Sequence, residues 1–339
     1  MNNLALKYRP SDFSEVCSQR SVIRILEKQI QTNTIKNCYI FSGASGCGKT
    51  TIARIFSNKI NRGLGQPIEI DGASNNGVDN VRMIIDNAIE RSLDSEYKVF
   101  IIDECHMITT QGWNAFLKCI EEPPKYTIFI FCTTDPQKIP PTIINRCQVF
   151  NLSKVDLNSI KNRLIYICNQ EHYTYTDESL EYISRIAEGS VRQAITYLDK
   201  CKDYSTNITI NNVLDVLGSY SYDVMFELTD SIVDNNKIKI IDIIDQLDFD
   251  GGDLKVFIDM YLDFIIQLNK YCIMNMIETT TIPSMLEDKV KYSTGIENNV
   301  KYFNKLLDHI LKIKITLKGD NDIKSTIKAM LISDWYKET

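Results

Sequence analysis

The 339-residue chain is short of several things at once, and each shortage narrows its chemistry. No stretch approaches the roughly 18 uninterrupted apolar residues that a membrane span requires. Even the most hydrophobic late segment, Val256 to Ile277, is broken by Asp259, Asp263 and Lys270. The opening residues, Met1-Asn2-Asn3-Leu4, have neither the basic nor the apolar region of a secretory signal. A cytoplasmic protein with no membrane partner is therefore expected. The ten cysteines form no Cys-x-x-Cys pair and the three histidines are far apart, so the ligand spacing of a zinc site is missing. Single, reduced, mostly buried thiols are expected, and no zinc. Basic residues are not in excess either, since the formal net charge is −6. Any grip on nucleic acid must come from a local patch or from backbone amides.

Proline is scarce late in the chain. Seven of the eight prolines precede residue 142, and only Pro283 follows. The proline-bearing part also holds short β-type runs at Cys38–Phe41, Ile68–Ile70, Val99–Ile102, Ile128–Cys132 and Gln148–Leu152. Helical patterns separate most of them; Ile52, Ile55, Phe56 and Ile60, for example, line one side of a helix. Apolar strands alternating with helices indicate a mostly parallel sheet covered on both faces. After residue 153 the pattern is helical, with Ile160, Leu164 and Ile167, then Leu180, Ile183 and Ile186, at helical spacing. Gly189-Ser190 opens a further helix carrying Val191, Ala194, Ile195 and Leu198. From Tyr220 onward the surface changes: Ser221 to Asp253 carries nine acidic residues against two lysines. That segment is expected to lie away from any DNA.

Gly43-Ala44-Ser45-Gly46-Cys47-Gly48-Lys49-Thr50 fits the phosphate-loop pattern, with a strand before it and an amphipathic helix, starting through Thr51, after it. Such a loop points backbone N–H groups inward around phosphates, and the helix N-terminus adds partial positive charge. Lys49 is placed to reach the β- and γ-phosphates of ATP, and the Thr50 hydroxyl to ligate Mg²⁺. Val99-Phe100-Ile101-Ile102-Asp103-Glu104 is an apolar strand ending in two carboxylates at the same sheet edge. Asp103 completes the Mg²⁺ shell through water in this reading, and Glu104 orients the attacking water.

With these motifs in hand, the sequence closely resembles the gamma/tau subunits of the bacterial DNA polymerase III clamp loader, AAA+ ATPases. The resemblance runs in order over about residues 5 to 220: Lys7-Tyr8-Arg9-Pro10, the phosphate loop, Glu69 to Asp79, Asp103 to Met107, Asn114 to Lys118 leading into Glu121-Glu122-Pro123-Pro124, Thr133 to Pro140, Asn145-Arg146-Cys147 and Glu188 to Arg192. It implies an α/β AAA+ domain over 1–152 with a RecA-like parallel five-stranded sheet, a small helical lid over 153–219, and an all-α collar over 220–339. It also implies residue roles. Thr134 falls at sensor 1; Arg146 at the arginine finger that enters a neighbouring subunit's ATP site; Arg192 at sensor 2, contacting the γ-phosphate of its own subunit. Tyr8, Arg9 and Pro10 border the adenine pocket. The sliding clamp, the other loader subunits in a pentameric ring or spiral, and primer–template DNA are the implied partners. An isolated subunit is expected to bind ATP yet hydrolyse it poorly.

The sequence departs from the family in places. Asn145 replaces the serine of the usual Ser-Arg-Cys, and Ser18 stands where glycine is usual. Only Asn61 to Pro67 joins the phosphate-loop helix to the next strand, where relatives insert a four-cysteine zinc module. The tail that tethers longer relatives to polymerase and helicase is also missing, so such tethering is not expected. A compact version of this kind suits a bacterial virus as well as a bacterium. For DNA, Ser74 to Arg82 is the best candidate, through amides at Asn75, Asn76 and Gly77 and the charge of Arg82; a helix start capped by Ser74 or Asn75 explains the same residues. Two other functions share parts of this pattern. A branch-migration helicase normally ends in a winged helix, which the acidic Ser221–Asp253 segment does not fit. A non-hydrolysing clamp-loader scaffold tends to lose residues equivalent to Lys49 and Glu104, which this chain keeps. Cys47, inside the loop, is expected to make ATP binding sensitive to alkylation.

Overall fold

A computed structural model of the chain describes residues 3–217, 222–249, 251, 253–295, 299–317, 319–320 and 322–333. The expected boundary between residues 219 and 220 lies outside them, as do Ser221 and Asp250 of the acidic segment. The chain divides into two compact units, Met1–His172 with Ala187–Asp199, and Tyr173–Ile186 with Lys200–Thr339. Residues of the segment 153–219 thus fall in both.

The first unit is built on five parallel strands: β1 (Cys38–Ser42), β2 (Ile68–Asp71), β3 (Lys98–Asp103), β4 (Thr127–Thr133) and β5 (Gln148–Asn151), in the order β2-β3-β4-β1-β5. The expected parallel α/β sheet is what forms. Strand alternation explains how it is covered. Tyr39 and Phe41 of β1, Ile101 of β3 and Ile128 and Ile130 of β4 pack with Ile52, Ile55 and Phe56. Cys38, Ile40, Phe100, Ile102, Phe129 and Phe131 point to the opposite core, against Trp113 and Phe116. Each fully buried aromatic there contributes ~1.5–3 kcal/mol of apolar burial. The central strands β1 and β4 are buried throughout, whereas the edge strands β2 and β5 alternate with more exposed positions.

The helices of this unit are α1 (Leu4–Lys7), α2 (Arg20–Gln31), α3 (Lys49–Ile60), α4 (Val78–Ile89), α5 (Thr110–Glu121), α6 (Pro141–Ile144), α7 (Leu157–Glu171) and the first part of a helix that starts at Val191. The Thr109 side chain caps α5 by accepting from Gly112 N–H, and Asp156 caps α7 through Ser159 N–H.

The second unit is helical: α8 (Asp177–Ile186), the end of α9 (Val191–Tyr204), α10 (Ile210–Leu217), α11 (Tyr222–Val233), α12 (Lys237–Phe249), α13 (Leu254–Met274), α14 (Glu287–Thr294), α15 (Asn299–Thr316) and α16 (Ile323–Leu331). One core joins α13, through Phe257, Tyr261 and Phe264, to Phe303, Leu306 and Ile310 of α15 and Ile327 of α16. Two strands of two residues each, β6 (Thr174–Tyr175) and β7 (Asn207–Ile208), pair in parallel where only helices were expected. Runs so short leave no periodicity to detect. Among the described residues, no helix is long and apolar enough to cross a membrane.

Candidate nucleotide site

Sheet order sets the site. β4 lies between β3 and β1, so the ends of three strands converge: the phosphate loop after β1, Asp103 and Glu104 after β3, and Thr133 and Thr134 after β4. The loop is shaped by glycine. A Cβ on Gly43 would stand 2.4 Å from Leu152 O, and one on Gly46, at φ +73°, 2.0 Å from Ser190 Oγ. Lys49 Nζ folds back to donate to Gly43 O and Ala44 O at 2.9 and 3.0 Å, and the side chain is buried.

A cavity of about 300 Å³ opens beside the loop, at the lower end of the range for small-ligand pockets. The loop from Ser45 through Thr51 lines it, together with Asp103, Glu104 and Arg192. Tyr8, Arg9 and Pro10 reach the same cavity, as do the apolar Val155 and Ile195. These elements are tied to one another. Val191 N–H, at the start of α9, donates to Gly46 O at 3.1 Å, which brings Arg192 to the loop. Arg163 Nη2 donates to Tyr8 O at 2.6 Å, and the Tyr8 hydroxyl donates to Glu171. Gln19 is bonded in both directions to the Ser153 backbone. Burial, with Arg54 and Arg192 nearby, holds the Arg9 guanidinium below its ordinary value. Arg9 therefore joins Arg192 on a cationic side of the cavity.

The hard-oxygen donors expected for Mg²⁺ are adjacent: Thr50 Oγ1 donates to Asp103 Oδ2 at 2.8 Å, across 53 residues of sequence. A hydroxyl beside a carboxylate suits Mg²⁺, which binds through one or two such groups and keeps several waters. Glu104 has a positive φ of 45°. Its Oε2 accepts from Thr134 Oγ1 at 3.1 Å and lies 3.4 Å from His106 Nδ1. His106 is in turn 3.2 Å from the buried Thr133 Oγ1. His106 and Thr133 are missed by the sequence reading; the His three residues after Asp103, on a short turn rather than a strand, was the available signal.

Three expectations change. Cys47 is 2% exposed and packed in the sheet core, and burial pushes its thiol up from its ordinary value. It is not the open, reactive thiol that its place in the loop implied, because its side chain packs into the apolar core beside the sheet. Gly77, not Ser74 or Asn75, is the N-cap of α4. Ser74 Oγ is bonded to Asp71 Oδ2 at 2.6 Å, Asn75 Nδ2 to Asp71 O at 3.0 Å, and Arg82 pairs with Asp79 at 3.1 Å. The acidic segment is also partly neutralised, since Asp245 pairs with Lys324 and Lys328 at 2.8 and 2.5 Å and Asp223 with Lys289 at 2.5 Å. Arg146 is exposed and does not line this cavity. Ser18 does, although its Oγ is shut from solvent with no hydrogen-bond partner among the described residues.

Known proteins match this arrangement at two levels. DNA polymerase III subunit tau of Salmonella typhimurium is 33% identical over 265 residues, covering 72% of this chain and 41% of its own length. The tau/gamma subunit of Haemophilus influenzae is 35% identical over 251 residues, covering 66% and 36%. Over most of its length the chain is similar to DNA polymerase III gamma/tau subunits. The gamma/tau subunit of Mycoplasma genitalium extends the match to 93% of the chain and 58% of the relative, at 29% identity. The chain thus spans about half the length of the curated relatives it matches. A family model described as DNA polymerase III, delta subunit, matches residues 66–156. Among solved structures, the Thermotoga maritima RuvB Holliday junction branch migration motor superposes with a TM-score of 0.53 over 67% of this chain and 79% of that one. At 18% identity the likeness is one of fold alone.

Proposed function

We propose that this chain is an ATP-driven clamp-loader motor subunit, which opens a sliding clamp and sets it on primer–template DNA during replication. Residues 1–152 act as the ATPase domain, 153–219 as its lid and 220–339 as the collar for assembly with the other subunits. The observation that carries the ATPase reading is the convergence of Lys49, the Thr50–Asp103 pair and Glu104 on one cavity, with Thr134 bonded to Glu104 from outside its lining. The names of the relatives carry the replication reading.

In this reading the loop amides and Lys49 hold the phosphates, and Arg192, fastened to the loop through Val191, senses the γ-phosphate of the same chain. Thr50 and Asp103 would hold Mg²⁺, whose positive charge would offset that of the phosphates. Glu104 orients and polarises the attacking water, with Thr134 and His106 fixing the carboxylate. Arg146, outside its own cavity, serves the neighbouring subunit's site once DNA aligns the assembly. ATPase assays on the assembled complex, with clamp and primed DNA, test this. Lys49→Ala should abolish hydrolysis, and Arg146→Ala should keep ATP binding while lowering DNA-stimulated turnover by ~10³-fold or more. Full turnover with Arg146→Ala sinks the trans-acting role; activity on branched DNA that needs no clamp sinks the clamp-loader role.

A further inference from the structure

Arg146 is held from within its own chain. Pro140 and Pro141 open the short helix α6. Its end is wound tight, with Asn145 N–H donating to Pro141 O and Arg146 N–H to Ile143 O, both at 3.0 Å. From that turn Arg146 Nη1 donates to Thr142 O at 2.6 Å. Arg146 Nη2 meets Glu121 Oε1, at the last residue of α5, at 2.6 Å. Both terminal nitrogens of the guanidinium are therefore engaged, while 38% of the side chain stays open to solvent.

We propose that Glu121 is a positioning residue for the trans-acting arginine, aiming the guanidinium before a neighbouring ATP site docks against it. The inference rests on the finger reading of Arg146 given above. An unrestrained arginine samples many rotamers, and ordering it only in the transition state slows the reaction. Two contacts at the ends of a planar fork fix its direction and plane while the guanidinium's other N–H donors remain for a phosphate. Stability is a poor alternative explanation. The partners are 38% and 47% exposed, and such pairs add little to folding. That same exposure lets the contact yield or adjust when a phosphate approaches. Thr142 O remains in any Glu121 variant, so removing the carboxylate loosens the arginine without displacing it.

Subunit mixing isolates this role. Full-length Lys49→Ala chains keep the finger but lack a working site, and Arg146→Ala chains keep the site but lack the finger. Mixed with ATP and primed DNA, they regain turnover only through donated fingers. Donors carrying Lys49→Ala with Glu121→Gln should restore a kcat about tenfold lower than Lys49→Ala donors, with KM for ATP unchanged. Glu121→Asp should recover part of the loss, and Glu122→Gln, at the neighbouring carboxylate, should cause none. Full kcat with Glu121→Gln overturns the inference, as does a loss confined to KM. No restored turnover even from unaltered fingers overturns the trans-acting reading itself, and this assignment with it.

Discussion

The nucleotide cavity and the helical second unit use charge in opposite ways. Around the cavity, three charged groups are hydrogen-bonded to neutral partners, Lys49 to two carbonyls, Asp103 to the Thr50 hydroxyl and Glu104 to the Thr134 hydroxyl, with His106 also beside Glu104. In the second unit they rest on each other, with Asp245 and Asp248 shared by Lys324 and Lys328 and with Glu227 paired to Lys239. A cation held by dipoles keeps its field for an incoming anion, whereas a cation held by a carboxylate has much of it offset until the pair yields. The contrast separates a site from a scaffold more sharply than counting charges does, because the second unit is rich in charge.

Breaking that contrast should cost most at the cavity. Glu104→Gln should lower turnover by ~10²–10⁴-fold and leave ATP binding intact, as read by single-turnover assays beside equilibrium binding; unchanged turnover would mean Glu104 is not the water-orienting group. The scaffold breaks through its core instead. Phe257→Ala, at a fully buried position, should reduce unfolding free energy by ~3–5 kcal/mol in denaturant melts, with ATP affinity of the folded protein preserved. Gly46→Ala forces a left-handed φ on alanine and a clash with Ser190, a strain of ~1–3 kcal/mol. Calorimetric titration should show it as roughly a tenfold loss of ATP affinity if the loop takes up that strain. The smallest effect belongs to Asp245→Asn, below ~1 kcal/mol by thermal melting and with no change in turnover, since its ion pairs are exposed. A turnover defect there would blur the distinction between the two regions.

The cavity was more legible in the sequence than its surroundings. The phosphate loop and the Asp103-Glu104 strand end were readable because each is a contiguous motif whose chemistry is set within a few residues. Cys47 was misread because a loop position does not say which way a side chain turns; here it enters the sheet core. The α4 cap was misread because Asp71 competes for Ser74 and Asn75, drawing both away from the helix start. His106 was passed over because its value lies in a contact with Thr133, 27 residues away.

By itself, the sequence determined the parallel α/β class, the phosphate loop, the paired carboxylates and the helical character of the rest. Those properties follow from local pattern, since strand alternation, helical spacing and a glycine loop are written in neighbouring residues. Only the tertiary structure decided which distant groups meet: Thr50 with Asp103, Thr134 with Glu104, Val191 with Gly46, Arg146 with Glu121. Those meetings depend on the strand order β2-β3-β4-β1-β5 and on packing between helices and loops. Such long-range arrangements are selected by the whole core at once, so no single segment spells them out.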